Sequence, residues 1–291
     1  MRSRPTTLVV VLSWTIVALA MVAAAVGLLW RTGSGSFTVT SARGQSVQLY
    51  GRGLYHFDTL FAAGGAQGTD AVVLLLAVPL LAWSTLRYRR VGVRGRLTHT
   101  GLLAFFLYVY ASLALGTVAF NRMFPVYVTL FSASLFGTVL AARSTEVPHS
   151  PALPRRGLAA FLYGSGAVTL AVWGWPLAAA VASGTTTARL DTYTTEVTFA
   201  LDLAVITPLT LLAGALVTRG RALGYPLAVP LLVLEATLAP LITAQTTGQV
   251  AAGVRFTPAE VAGPIAGFIV LAACAVWFLL AITRALKEDR S

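Results

Sequence analysis

Charge is what this sequence most lacks. Asp, Glu, Lys and Arg make up 11% of its 291 residues, against roughly 25% in an average soluble domain. A water-exposed globular surface cannot be covered with so little charge, so lipid must be the solvent for much of the chain. Cysteine is almost absent. Cys274 is alone and sits inside an apolar run, which excludes an intramolecular disulfide framework and any multi-cysteine metal site. There is no HExxH zinc motif, no phosphate-cradling glycine loop, and no pair of carboxylates at metal-ligand spacing. Transport, if any, must therefore draw on a gradient or on a separate subunit. Histidine is scarce as well: His56, His99 and His149 all fall outside the middle of any apolar run, where a haem or buried metal would need them. No cofactor is expected.

Acidic residues number 10 against 21 Lys and Arg, a net charge of +11. Such a balance can mark a nucleic-acid binder, but here the arginines form short clusters between apolar runs. No polar domain offers a basic face, so nucleic acid is not an expected partner. Arginine outnumbers lysine 20 to one, and a bacterial inner membrane is the expected location.

A helix needs about 20 apolar residues to cross some 30 Å of hydrocarbon. Eight segments qualify, at about 7–29, 70–86, 99–120, 125–142, 157–182, 197–218, 226–245 and 259–283. The first is too long for a signal peptide's apolar core and reads as a retained span. Asn121, Arg122 and Pro125 mark the turn between spans three and four. With the N-terminus inside, the inner segments hold 15 Lys and Arg and the outer ones six, as the positive-inside rule requires for an even number of spans. Both termini are then cytoplasmic. The inner run Arg87-Tyr88-Arg89-Arg90 would also attract anionic headgroups. The expected fold is an all-α polytopic membrane bundle of about eight helices, one integral membrane domain over 1–291.

The first outer loop, 30–69, is far longer than the usual 4–6 residues. Residues 37–40 and 46–49 alternate in polarity around Ser41-Ala42-Arg43-Gly44-Gln45, which predicts a small β-hairpin. Tyr50, Arg52, Tyr55, His56 and Asp58 follow it, a mixture able to bind an anionic ligand through Arg52 or to fold back as a lid. Thr257-Pro258-Ala259-Glu260 predicts a capping box at the start of span eight. Asp70 reads as an N-cap of span two, and Gly263 to Gly267 as a small-xxx-small packing face. Spans two and six also resemble each other, each passing from an Asp through a Pro to an Arg. They suggest two parallel halves, spans 1–4 and 5–8, with a solute site between them.

Two acids fall inside predicted spans, Asp202 and Glu235. A charge at mid-membrane costs on the order of 2.5–3.5 kcal/mol by insertion scales, so such residues face a protein interior and are functional by default. At ~1.5 Å per residue their depths differ by roughly 7–8 Å, close enough for a water or a side chain to link them. Pro208, Pro230 and Pro240 predict helix breaks beside both acids. Tyr108, Tyr110 and Gln245 would line the same cavity. Ser165, between Gly164 and Gly166, has no transmembrane histidine as a base, so helix packing is its expected role and an intramembrane enzyme is disfavoured. The expected function is a permease for a small solute, coupled to protons. The alternative is a sensor or accessory subunit that binds a ligand, a protein partner or a second copy through the first outer loop.

Overall fold

Backbone amides and carbonyls in hydrocarbon must be satisfied within their own segment, so each long apolar run closes into a helix. A computed structural model describes residues 3–118, 121–145, 147 and 153–288; Arg2, His149 and Arg290 lie outside the described residues. Among the described residues eight helices are long and apolar enough to span a membrane: Thr6–Leu29, Leu60–Arg87, Val93–Gly116, Phe124–Arg143, Arg155–Ser183, Val197–Thr218, Gly224–Ala251 and Pro258–Leu286. They are spans one to eight below.

Span two starts about ten residues before its expected position. Thr59 is its N-cap, its hydroxyl accepting from the Ala62 amide at 3.2 Å. Asp70 is therefore not a cap but a buried side chain well inside the helix. The turn between spans three and four forms where expected, with the Asn121 side chain accepting from the Met123 amide at 2.8 Å. The capping box of span eight is also present. The Thr257 amide donates to Glu260 at 2.8 Å, and the Glu260 amide to the Thr257 hydroxyl at 3.3 Å.

The connection from span one to span two carries strands β1 (Phe37–Thr40) and β2 (Ser46–Leu49), paired antiparallel with Phe37 opposite Leu49. Beyond β2 the chain folds back over the bundle. Gly51 and Gly53 take left-handed φ values of 69° and 55° and press against the carbonyls of Gly35 and Trp30. Only glycine fits both the conformation and the space. This end of the molecule is called the hairpin end below.

Helix packing follows the resemblance between spans two and six. Span one packs on spans two and four, and span three on four. Correspondingly, span five packs on six and touches eight, and span seven packs on eight. Spans three and seven pack against each other at the centre. The likeness reaches local geometry. Each of spans two and six contains one π turn, Val73–Ala77 and Asp202–Ile206, closed by Val78 N–H to Val73 C=O and Thr207 N–H to Asp202 C=O. Pro79 and Pro208 come next. Proline cannot donate to the carbonyl four residues back and its ring crowds it, and an extra residue in the turn relieves that crowding. Pro230 and Pro240, by contrast, lie inside one continuous helix, so the breaks expected around Glu235 do not form.

Small-residue packing is real but elsewhere than expected. Around Gly263 and Gly267 an added Cβ would meet nothing within 4 Å among the described residues, so this face is open rather than packed. The close contact is instead between spans two and seven. A Cβ on Gly64 would fall 2.5 Å from the Gln249 Cα, one on Gly68 would strike the Ala244 backbone, and one on Gly248 the Gly64 carbonyl.

Candidate functional site

Among the described residues four carboxyl groups are buried: Asp58, Asp70, Asp202 and Glu235, none more than 9% exposed. A buried charge is normally paired with an opposite one. Yet among the described residues the one salt bridge joins Arg189 and Glu260 on the surface, at 3.8 Å. Among the described residues no basic side chain therefore pairs with any of these four acids. Each acid is met instead by a neutral donor.

The Ser165 hydroxyl of span five donates to Glu235 Oε1, while Glu235 Oε2 is buried without a hydrogen-bond partner. Asp202 opens the π turn of span six and faces the Tyr108 hydroxyl of span three and the Trp173 indole of span five. The two acids are therefore held by different side chains. Tyr110 points away from Asp202, because two residues along a helix is a rotation of about 200°. Its ring lies 6.0 Å from that of Tyr127, on the side of Asp70. Gln245 donates to the Thr69 hydroxyl at 2.9 Å across the interface of spans two and seven. Of the five residues expected to share a cavity, the structure brings Tyr108 to Asp202, whereas Tyr110, Gln245 and Glu235 each have separate neighbours.

The residues of the hairpin loop divide in the same way. Tyr50 accepts from Arg31 and from Gln67, both at 3.1 Å. His56 packs its ring against Phe37 and Phe57, at 5.3 and 4.6 Å, and Arg52 is exposed. Tyr55 and Asp58 turn inward. The Tyr55 hydroxyl donates to Asp70 Oδ2 at 2.6 Å, and Asp58 Oδ1 accepts from Tyr193 at 2.9 Å. Arg43, on the hairpin turn, donates to the carbonyls of Asp191 and Tyr193. The hairpin loop is thereby fastened to the loop between spans five and six. Burial pushes the Asp58 carboxyl up to about 7, against the opposing hydrogen bond from Tyr193. Burial and then the nearby carboxylate raise both phenols, Tyr55 beside Asp70 and Tyr193 beside Asp58.

At the hairpin end of spans five and six there is a cleft of ≈ 350 Å³, lined by Leu177, Thr187, Thr194, Glu196, Phe199 and Leu203 among others. Asp202 is the next residue after the helical turn that ends at Leu201. Spans five and eight meet where the Phe161 and Phe278 rings lie 5.3 Å apart. Toward the hairpin end both expose most of their residues, with Trp175 77% and Val270 63% accessible.

Asp70, Tyr127, Ser165, Tyr193 and His99 are not anticipated by the sequence reading as partners in this network. His99 is buried inside the bundle, its ring nitrogens 3.0 Å from the Ser13 hydroxyl and 2.8 Å from that of Ser84. Among the described residues no three of His, Cys, Asp and Glu come together as a metal site. No family model matches the chain, and no curated protein or solved structure does so either.

Proposed function

We propose that this polytopic membrane protein is a proton-coupled permease for a small solute, which enters from the hairpin end, taken as the extracytoplasmic face. The observation that supports it best is Glu235. It is a carboxyl 6% exposed that, among the described residues, has no cation beside it, one oxygen on Ser165 and the other unpartnered. A purely structural acid would be expected to have both oxygens satisfied. One with a vacant acceptor and no counter-charge is suited to gaining and losing a proton. Asp202, beside the cleft between spans five and six, is the second carrier, and Tyr108 positions it. The cleft is of a size to hold a small molecule. Its apolar and threonine lining suits a modestly polar solute.

The test uses proteoliposomes with a trapped pH dye and a panel of small neutral and cationic solutes added outside. The expected result is a solute-dependent movement of protons that Glu235→Gln and Asp202→Asn abolish, with folded yield near that of the wild type. Absence of any solute-dependent proton movement, or collapse of folded yield in both variants, would assign the two acids to helix packing.

A second reading has its own support, the fastening of the hairpin loop to the loop between spans five and six through Arg43, Asp58 and Tyr193. In this reading the loop is the sensing surface of a non-transporting subunit. Deleting residues 37–49 would then remove a ligand-dependent thermal shift, and the proteoliposomes would show no flux.

A further inference from the structure

Asp70 is the most deeply buried of the four acids, at 2% exposure. Five elements enclose it. The hairpin loop contributes Tyr55, bonded to Oδ2. Span one contributes Gly27, where a Cβ would run into the carboxylate. Span three contributes Tyr110 and span four Tyr127. Span seven reaches the neighbouring Thr69 through Gln245. The titratable groups facing Asp70 are thus three phenols, and among the described residues no arginine or lysine pairs with it. Tyr127 is fully buried, and its hydroxyl has the Tyr55 phenol as its near polar neighbour without a well-formed hydrogen bond. It lies beside both Tyr55 and Asp70, and within electrostatic reach of Asp58.

A carboxylate here accepts from Tyr55, and Tyr127 is left beside the same phenol. A protonated Asp70 becomes a donor, and the phenol oxygens around it can accept. The cluster can therefore hold the carboxyl in either protonation state. The repeat points the same way. Asp202 begins one π turn and Asp70 lies three residues before the other. The central span three turns Tyr108 toward Asp202 and Tyr110 toward Asp70.

We infer that Asp70 is a further proton-binding site, separate from Asp202 and Glu235, which exchanges its proton with water at the hairpin end when the segment from Tyr50 to Asp58 lifts and withdraws the Tyr55 hydroxyl. In loading, hydronium gives up a proton, one O–H bond forms on the Asp70 carboxylate, and water leaves; release is the reverse. No other bond changes. The site does not depend on the permease reading, since a sensor could use the same protonation.

The test is infrared difference spectroscopy of the full chain in lipid vesicles, stepped through pH. One protonated-carboxyl C=O band of the wild type should be missing from Asp70→Asn and retained in Asp58→Asn, Asp202→Asn and Glu235→Gln. Tyr55→Phe keeps the ring but removes one charge-assisted hydrogen bond, so it should move the midpoint of that band to higher pH by about one unit. Spectra of Asp70→Asn that match the wild type at every pH would overturn the inference, as would an unmoved midpoint in Tyr55→Phe. Should Asp70→Asn fail to fold, Tyr55→Phe decides alone. Bands that vanish only in Asp202→Asn or Glu235→Gln would support the permease reading and refute this one.

Discussion

Raising the pH from about 5 to about 8 should loosen the loop that carries Asp58. In the closed loop its carboxyl titrates at about 7 instead of the ordinary 3.8, because burial disfavours the charged form. A raised value means that the closed state binds the proton more tightly than the open one. The stabilisation is therefore complete below about pH 4 and is lost as pH rises through about 7. Asp58 is only 9% exposed, so solvent screening removes little of the effect. Between pH 5 and pH 8 the change is on the order of 2.5 kcal/mol, or roughly a hundredfold in the opening equilibrium. The group acting on Asp58 is Tyr193, which donates to it. Hydrogen–deuterium exchange reads the opening directly at three amides: Tyr50, bonded to the Asp58 carbonyl at 2.8 Å, Gly51, bonded to His56 at 2.9 Å, and Asp58, bonded to Tyr55 at 3.1 Å. After correction for the intrinsic pH dependence of exchange, their protection should fall steeply with pH in the wild type. It should be flat in Asp58→Asn. Protection that stays level or increases from pH 5 to 8 in the wild type would refute the reasoning.

Further substitutions bear on packing. Gly68→Ala and Gly248→Ala each put a methyl group into the backbone of the facing helix and should cost about 1–3 kcal/mol, whereas Gly263→Ala and Gly267→Ala should fall within about 0.5 kcal/mol of the wild type. Folded yield by fluorescence-detected gel filtration separates the two pairs. Ser165→Ala leaves Glu235 Oε1 without its donor and should destabilise by about 1–3 kcal/mol, measured as a lower melting temperature in detergent with Glu235→Gln as the comparison.

The number of spans, the hairpin, the turn at Asn121 and the capping box at Thr257 are all legible in the sequence, because each rests on local composition or on spacing within a few residues. The start of span two is not. Gly64-Gly65-Ala66-Gln67-Gly68-Thr69 looks too polar and too rich in glycine for lipid. Gly64, Gly65, Gly68 and Thr69 in fact face span seven, where glycine permits close approach and Thr69 bonds Gln245, while Gln67 bonds Tyr50 on the other side. That misplaced boundary is what makes Asp70 look like a cap. Gly263 and Gly267 fail for the converse reason: their spacing is visible, but whether a neighbour is present is a matter of tertiary structure. Tyr108 and Tyr110 look like joint lining residues on a linear string, yet the 100° step of a helix sends them to opposite sides. The prolines of spans two, six and seven are equally visible, but only Pro79 and Pro208 follow a widened turn. The sequence offers no signal to tell them from Pro230 and Pro240. Ser165 reads in the sequence as a packing residue between two glycines, because its partner Glu235 lies 70 residues away on another helix.

The widened turns in spans two and six set an angular register. A π turn takes up one residue more than an α turn, so everything on its hairpin side is rotated by about 100° relative to a straight helix. In span two that offset aims Asp70 between spans one, three and four while the Pro79 side keeps its own apolar contacts. In span six it does the same for Asp202. Length in these two segments is consequently a matter of azimuth. Removing a single residue between Val73 and Ala77 would scarcely shorten the helix, but it would swing Asp70 away from Tyr55 and out of its ring of phenols.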